Sequence, residues 1–412
     1  MTSVLAINGG SKVREKPFPA WPIYGKEEEE AVLAVVRSGK WGKFDGDRVR
    51  AFEEAFAAYQ DARYGIAVTN GTVALRLALL AAGMEEGDEV IVPPYTFLAT
   101  ASAVVETNGV PIFVDIQPDT YNIDPDKIEA AITPRTRAII PVHFGGQAAD
   151  LERIMAIARR HNLVVIEDAA HAHGAMYNGR KLGAIGDMGC FSFQSSKNLT
   201  AGEGGMILTD SEHYERLCRS LHNCGRRPEG LWYGHYAIGG NYRMTEWQGA
   251  VLLAQMTRLE EQTRTRDANG QYLNARLAEV PGIRPLARGP RVTRHSQHLY
   301  IFRYDPTAFD GVPRDRFLAA LNAEGLPCSG GYPVGLYNQP VFANLDFGPF
   351  TAYRRTRPDL RYNPADFPVC EQACAEACWL SQSVLLGTRE DMDDIVRAVW
   401  KVYEQRKELL KA

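Results

Sequence analysis

The stretch that decides the fold runs from residue 64 to residue 115 and reads YGIAVTNGTVALRLALLAAGMEEGDEVIVPPYTFLATASAVVETNGVPIFVD. It alternates apolar extended runs with segments of helical periodicity. The extended runs lie at 65–69, 89–93 and 111–115, and the helical segments lie at 72–82 and 96–106. This alternation is typical of β-α units whose strands lie parallel in one sheet. The stretch therefore predicts a parallel, doubly wound α/β sheet.

The same pattern continues downstream. Extended runs at 137–142 and 163–168, with a helical segment at 149–160 between them, predict two further strands. Two more runs, 190–194 and 205–209, follow with little helix between them. Parallel strands need a long crossover connection, so we expect the sheet to end with a differently directed strand.

The last third of the chain predicts a second, smaller domain. A charged helical segment from Thr245 to about Leu277 has the length of a connector, and strand-like and helical segments alternate beyond it. We therefore divide the chain into an N-terminal segment (1–30), a large α/β domain (31–265) and a small α+β domain (266–412).

Composition and charge exclude several classes of protein. The 46 basic and 50 acidic side chains leave a formal charge of -4 without a long like-charge run, so we expect neither nucleic acid nor a membrane as partner. Seven cysteines, no signal peptide and no long apolar run predict a cytoplasmic protein. Cys370, Cys374 and Cys378 are spaced for one helical face, where we expect them to pack in the core rather than bind a metal.

Residues whose side chains can take part in binding or catalysis follow the predicted strands, at the edge where open α/β sheets bind ligands. Gly71 and Thr72 open a helix, whose free N–H groups suit a phosphate. Phe97 follows the next strand and contributes an aromatic ring. Asp168 ends an apolar strand, where a carboxylate is costly unless it is paired. His171 follows closely, and its spacing to other residues does not indicate a metal site.

A lysine completes this group of residues. Lys197 follows another predicted strand and precedes the glycine-rich turn 202–205, which lets another molecule approach its amine. Each feature alone has an ordinary structural explanation. Together, a phosphate cradle, an aromatic ring, a strand-end carboxylate and a lysine are the parts that a pyridoxal phosphate site requires.

Longer motifs in a specific order carry a resemblance to a known family. They are VTNGTVAL at 68–75, GDEVIVPPYTFLAT at 87–100, VIEDAAHAHGA at 165–175, FSFQSSKNLTAGEGG at 191–205 and GGNYRMTEWQGA at 239–250. The chain resembles the sugar and cyclitol aminotransferases of the DegT/DnrJ/EryC1/StrS family, which are pyridoxal phosphate enzymes of fold type I. The resemblance implies a mostly parallel seven-stranded sheet flanked by helices, plus a smaller α+β C-terminal domain.

The resemblance also implies roles for individual residues. Lys197 matches the catalytic lysine that forms a Schiff base with the cofactor, and Asp168 matches the catalytic partner of the pyridine nitrogen. The other matches are to residues that contact the cofactor ring, the cofactor phosphate in the same subunit, or the cofactor phosphate in the site of the second subunit. They are Phe97 and His171 for the ring, Gly71, Thr72 and Ser192 for the phosphate, and Asn241 and Arg243 for the second subunit. The matches of Asn241 and Arg243 imply a homodimer with shared active sites.

These features predict an aminotransferase that moves an amino group from glutamate or glutamine to a keto group on a sugar, nucleotide-linked or free, or on a cyclitol. Two alternatives stay open: a cofactor-dependent dehydratase or lyase on a similar substrate, and a non-catalytic ligand-sensing protein. Family members that act as dehydratases carry histidine in place of the lysine, so Lys197 favours the aminotransferase. A sensor needs an effector domain, and no basic helix-turn-helix segment precedes residue 30 or follows residue 380.

Overall fold

A seven-stranded sheet forms the centre of the computed structural model, which describes residues 4–410. Two smaller sheets, of four and three strands, accompany it. The strands are β1 (Tyr64–Val68), β2 (Glu89–Val92), β3 (Val110–Phe113), β4 (Thr136–Ile139), β5 (Val164–Asp168), β6 (Met176–Tyr177), β7 (Arg180–Lys181), β8 (Met188–Ser192), β9 (Gly205–Thr209), β10 (Ile283–Pro285), β11 (Val292–Arg294), β12 (Leu299–Tyr304), β13 (Cys328–Gly330) and β14 (Ala377–Ser381).

Helices connect most strands of the central sheet, as the sequence predicts. The helices of the structure are α1 (Lys26–Ser38), α2 (Arg48–Tyr59), α3 (Gly71–Ala81), α4 (Ala99–Glu106), α5 (Pro125–Ala131), α6 (Leu151–His161), α7 (Glu212–His222), α8 (Glu246–Leu277), α9 (Arg314–Ala323), α10 (Pro340–Ala343), α11 (Ala352–Thr356), α12 (Pro368–Glu376) and α13 (Arg389–Glu404). The predicted elements up to β9 agree with these bounds to within three residues. The short α5 was not predicted, because seven residues are too few to show helical periodicity.

The central sheet has the order β1-β9-β8-β5-β4-β2-β3. Every strand in it is parallel to the others except β9, which is antiparallel to both of its neighbours. The prediction of a differently directed last strand is therefore confirmed. However, β9 lies inside the sheet and not at its edge, because β1 pairs with its free side.

Both faces of the central sheet are covered. Ile66 and Val68 of β1 belong to a buried cluster that includes residues of α3 and α4. Ala67, between them, belongs to a second cluster with residues of α2 and α8. Since successive side chains of a strand point to opposite faces, the helices lie on both sides of the sheet. This is the doubly wound arrangement that the sequence predicts.

The C-terminal region has its own sheet and core. Its antiparallel sheet has the order β10-β12-β14-β13, and residues of α9 and α13 belong to its buried cluster. Helix α8 joins the two regions, because Leu259 belongs to a large-domain cluster and Leu273 to the small-domain cluster. Leu5 of the N-terminal segment also lies in the small-domain core. The boundary after residue 265 falls within α8 and stays a prediction.

The three C-terminal cysteines do not share one helical face, so that expectation was wrong. Cys370 and Cys374 lie on α12, but this helix ends at Glu376 and Cys378 lies on β14. All three are buried, as expected. Within residues 4–410, no group of three or more histidine, cysteine or acidic side chains is arranged to bind a metal. None of the helices in this range has the length and apolar character needed to cross a membrane.

Candidate functional site

The carboxyl ends of the central strands open into one cavity of about 790 Å³. The cavity collects most of the residues that the sequence predicts for the site. They are Gly71, Thr72, Phe97, Asp168, His171, Ser192 and Lys197. These residues come from four separate strand ends, and the edge of the sheet brings them together.

One end of the cavity is formed by the start of α3. The Asn70 side chain caps this helix, and its oxygen accepts a hydrogen bond from the Val73 N–H at 2.9 Å. A β-carbon on Gly71 would lie 2.9 Å from the β-carbon of Ser192, so only glycine allows the helix to approach the end of β8 this closely. The first N–H groups of a helix have no acceptor within it. Together with the Thr72 and Ser192 hydroxyls, they form a cradle that fits a phosphate group.

Asp168 is a buried carboxylate at the end of β5, with 6% of its surface exposed. It accepts hydrogen bonds from the Thr100 hydroxyl at 2.8 Å and from the Ala170 N–H at 3.2 Å. Burial raises the pKa of Asp168, and the hydrogen bond from Thr100 opposes this rise. Both hydrogen-bond donors are uncharged, so the ionised carboxylate still suits a cationic partner such as a protonated pyridine nitrogen.

Lys197 lies in the loop after β8, where its backbone N–H donates to the Gln194 carbonyl oxygen at 2.9 Å. Burial lowers the pKa of its amine to about 8, and the negative charge of Asp168 acts in the opposite direction. An amine with a pKa in this range exists in both protonation states near neutral pH. It can therefore act as a nucleophile and carry protons.

His171 forms part of the cavity wall and contacts a second histidine. The ring centroids of His171 and His298 are 4.1 Å apart, and the ring planes are tilted by 31°. Burial lowers the pKa of both imidazoles well below the ordinary value, so both rings are neutral. The Nδ1 atom of His171 is buried without a hydrogen-bond partner among the described residues. Phe97, in contrast, is 62% exposed at the cavity.

Sequence reasoning missed several residues at or beside the cavity. Thr100 does not line the cavity but donates to Asp168, and its hydroxyl lies 3.0 Å from that of Thr96, four residues earlier. This i, i+4 pair of threonines was a signal that could have been used. His298, Tyr332 and Trp379 come from the C-terminal region, and only the tertiary structure brings them to the cavity.

Two predicted residues do not line the cavity of their own chain. Asn241 is exposed, and its backbone bridges to Asn223. The Arg243 guanidinium donates to the Asn223 side-chain oxygen at 2.8 Å and lies 4.9 Å from the centroid of the Phe44 ring. Because their predicted role concerns the site of a second subunit, that role stays a prediction.

Comparison with known proteins gives consistent results. The family model described as the DegT/DnrJ/EryC1/StrS aminotransferase family matches residues 22–400. A relative from Streptoalloteichus tenebrarius, named putative L-glutamine:3-amino-2,3-dideoxy-scyllo-inosose aminotransferase, is 44% identical over 98% of each chain. The L-glutamine:2-deoxy-scyllo-inosose aminotransferase of Streptomyces fradiae is 39% identical over 98% of each chain. The crystal structure of 3-amino-5-hydroxybenzoic acid synthase matches with a TM-score of 0.84 at 33% identity, covering 95% of this chain and 100% of that one.

Proposed function

Since this chain belongs to the DegT/DnrJ/EryC1/StrS aminotransferase family, we propose that it transfers the amino group of glutamine to the keto group of a free cyclitol, with pyridoxal phosphate as cofactor. The observation that carries the proposal is the meeting of Asp168, Lys197 and the start of α3 in one cavity. The buried carboxylate, the amine and the phosphate cradle match the pyridine nitrogen, the aldehyde and the phosphate of this cofactor.

The side chains of the cavity fit the cofactor as follows. Lys197 would bind its aldehyde, and Asp168 would pair with its pyridine nitrogen. The cradle of Gly71, Thr72 and Ser192 would hold its phosphate. Phe97 and His171 would contact its ring. When bound, pyridoxal phosphate supplies an aldehyde that accepts and returns the amino group, and a ring that delocalises negative charge.

Proton transfer is the task of Lys197. Its pKa of about 8 lets the neutral amine take a proton from the substrate carbon and the protonated amine return it. Asp168 contributes through its charge, because an ionised carboxylate beside the pyridine nitrogen keeps that nitrogen protonated. The hydroxyl of Thr100 holds the carboxylate in place. These roles require the pKa of the Lys197 amine to lie close to neutral pH and the Asp168 carboxyl group to be ionised.

A free cyclitol fits the cavity better than a nucleotide-linked sugar. Among the described residues that line the cavity, Lys197 is the only lysine or arginine, and Glu106 and Glu203 add negative charge. A diphosphate group is normally bound by several cationic side chains. The names of the two relatives, which specify glutamine as donor and inosose derivatives as acceptors, support the same choice of substrates.

We also propose a homodimer in which Asn241 and Arg243 complete the phosphate cradle of the partner. The loop that precedes them exposes a row of large apolar side chains, including Trp232 at 88% and Ile238 at 97%. Exposed apolar patches of this kind mark protein interfaces. We place the enzyme in the cytoplasm, because all seven of its cysteines are free thiols.

A screen of the two half-reactions tests the function. The enzyme is first loaded with pyridoxal phosphate and treated with glutamine, and the conversion of the cofactor into its amine form is followed by absorbance. Cyclitol ketones and nucleotide-linked keto sugars are then added separately. We expect only the cyclitol ketones to restore the aldehyde form and to yield an aminocyclitol. Dehydration without amino transfer would instead indicate a dehydratase, and failure of both half-reactions would indicate a binding protein.

A further inference from the structure

His298 is a buried residue of the cavity that the catalytic scheme above does not use. It directly precedes β12, only 6% of its surface is exposed, and its ring centroid lies 4.1 Å from that of His171. It lines the same cavity as Lys197. A histidine in this position is close to the reacting groups but belongs to the small domain.

A hydrogen-bond network determines which nitrogen of His298 carries the proton. The Asn198 amide nitrogen donates to the Ser296 carbonyl oxygen at 2.8 Å, so the amide oxygen of Asn198 faces the Nδ1 atom of His298 at 3.0 Å. An amide oxygen only accepts hydrogen bonds, and Nδ1 must therefore be the protonated nitrogen. The Ser296 hydroxyl donates in turn to the His171 carbonyl oxygen at 2.6 Å.

The other ring nitrogen of His298 is free. In the neutral tautomer, Nε2 carries a lone pair and accepts hydrogen bonds. It has no hydrogen-bond partner among residues 4–410. The Nδ1 atom of His171 is inaccessible to solvent, whereas Nε2 of His298 is not fully buried. Burial, the neighbouring His171 and the charge of Lys197 all lower the pKa of His298, so the lone pair is not protonated near neutral pH.

We propose that His298 is a substrate-positioning residue whose Nε2 atom accepts a hydrogen bond from a hydroxyl group of the cyclitol. This inference rests on the proposed function and extends it to a specificity-determining residue. A polyol ring carries hydroxyl groups that act as donors around its edge and C–H groups on its faces. The aromatic side chains of Tyr332 and Trp379, with ring centroids 5.0 Å apart, line the same cavity and can contact such a face.

The aromatic side chains of Tyr332 and Trp379 and the imidazole of His298 therefore recognise different parts of the substrate. The two aromatic side chains exclude water and contact the C–H face without selecting among hydroxyl groups. A single fixed acceptor selects one hydroxyl, because its position and direction are set by the hydrogen bond to Asn198 and by the ring contact with His171. An analogue that lacks this hydroxyl leaves the acceptor unpaired, which is how buried polar groups produce specificity.

The first test replaces His298 and measures the two half-reactions separately. His298→Phe keeps an aromatic ring on His171 but removes Nε2. We expect covalent attachment of pyridoxal phosphate and the reaction with glutamine to stay within about twofold of wild type, whereas affinity for 2-deoxy-scyllo-inosose falls by about three- to tenfold, the range for one neutral hydrogen bond. His298→Gln, which can offer an amide oxygen near the Nε2 position, should recover part of the loss.

A matched control separates this role from a general effect of losing a histidine. His295 lies three residues earlier and does not line the cavity. His295→Phe should therefore leave the affinity for the ketone unchanged. If His298→Phe impairs cofactor attachment and the glutamine reaction as strongly as the ketone reaction, His298 supports the site as a whole and the proposal is wrong.

The second test changes the substrate, so its measurements on the wild-type enzyme do not depend on how a variant folds. Wild-type enzyme is titrated with 2-deoxy-scyllo-inosose analogues that each lack one further hydroxyl group, and with the corresponding polyols in which a hydroxyl replaces the keto group. One analogue should bind three- to tenfold more weakly to the wild type and show no such loss with His298→Phe, because the two changes remove the same contact.

Two other results would overturn the proposal in different ways. Equal losses for every analogue in both enzymes would show that His298 contacts no hydroxyl group, while the proposed function would stand. A wild-type enzyme that reacts with glutamine but aminates no cyclitol ketone would refute the proposed function, and the role of His298 would fall with it.

Discussion

Replacing Asp168 with asparagine removes one negative charge from the cavity and keeps the shape of the side chain. The hydrogen bonds can adapt, since the amide oxygen can accept from the Ala170 N–H as the carboxylate does at 3.2 Å. The amide nitrogen can donate to Thr100, whose hydroxyl can turn because the Thr96 hydroxyl lies 3.0 Å away on its other side. We therefore expect the free energy of unfolding of Asp168→Asn to change by no more than about 1 kcal/mol.

The effect on the reaction should be far larger than the effect on stability. Asp168 is 6% exposed and takes its hydrogen bonds from neutral donors, so its charge is available to the pyridine nitrogen of the cofactor. Removing one member of a buried ion pair costs about 3–5 kcal/mol. At about 1.4 kcal/mol for each tenfold change, the proton transfer should slow roughly 10²- to 10⁴-fold.

The assay is a single turnover with glutamine at saturating cofactor, in which absorbance follows the conversion of the aldehyde form of the cofactor into the amine form. Asp187→Asn is the matched control, because Asp187 is also a carboxylate whose pKa is raised by burial, accepts from the Val165 N–H at 2.8 Å and does not line the cavity. This control should keep the wild-type rate per folded site. An Asp168→Asn rate within about threefold of wild type would refute the reasoning and make Asp168 a structural residue.

Four further outcomes are expected. Lys197→Ala should bind no pyridoxal phosphate that borohydride can fix, as measured by mass spectrometry, and a normal adduct would place the site at another lysine. Because the pKa of Lys197 is lowered to about 8, the rate of cofactor attachment to the apoenzyme should rise with pH and reach half its maximum near pH 8, whereas a midpoint above pH 10 would contradict the effect of burial. Thr100→Val should slow the glutamine half-reaction by up to about tenfold through loss of one hydrogen bond to Asp168, and Thr100→Ser should restore the rate; equal rates in both variants would exclude this role. Equal amounts of Lys197→Ala and of the double variant Asn241→Ala/Arg243→Ala, dissociated and reassembled, should recover about a quarter of wild-type activity, because half of the dimers then hold one intact site; no recovery, with both parents dimeric, would exclude shared sites.

Local sequence patterns were sufficient for most of the large domain. Apolar runs and helical periodicity depend on neighbours in the chain, so the seven strands of the central sheet were predicted to within three residues, whereas the two-residue strands β6 and β7 were not predicted. The place of β9 between β1 and β8 was not, because strand order depends on pairing between distant segments. The same limit applies to Cys378, whose spacing continued that of α12 although the chain had already entered β14.

The sequence by itself determined the residues that follow the strands of the parallel sheet. Parallel strands place their carboxyl ends at one edge, so Asp168 and Lys197 could be assigned to one cavity before their contacts were known. The tertiary structure alone decided their surroundings. Three features arise where segments far apart in the chain pack together: the burial that lowers the pKa of Lys197, the hydroxyl that orients Asp168, and the ring contact between His298 and His171. No local pattern encodes such distances.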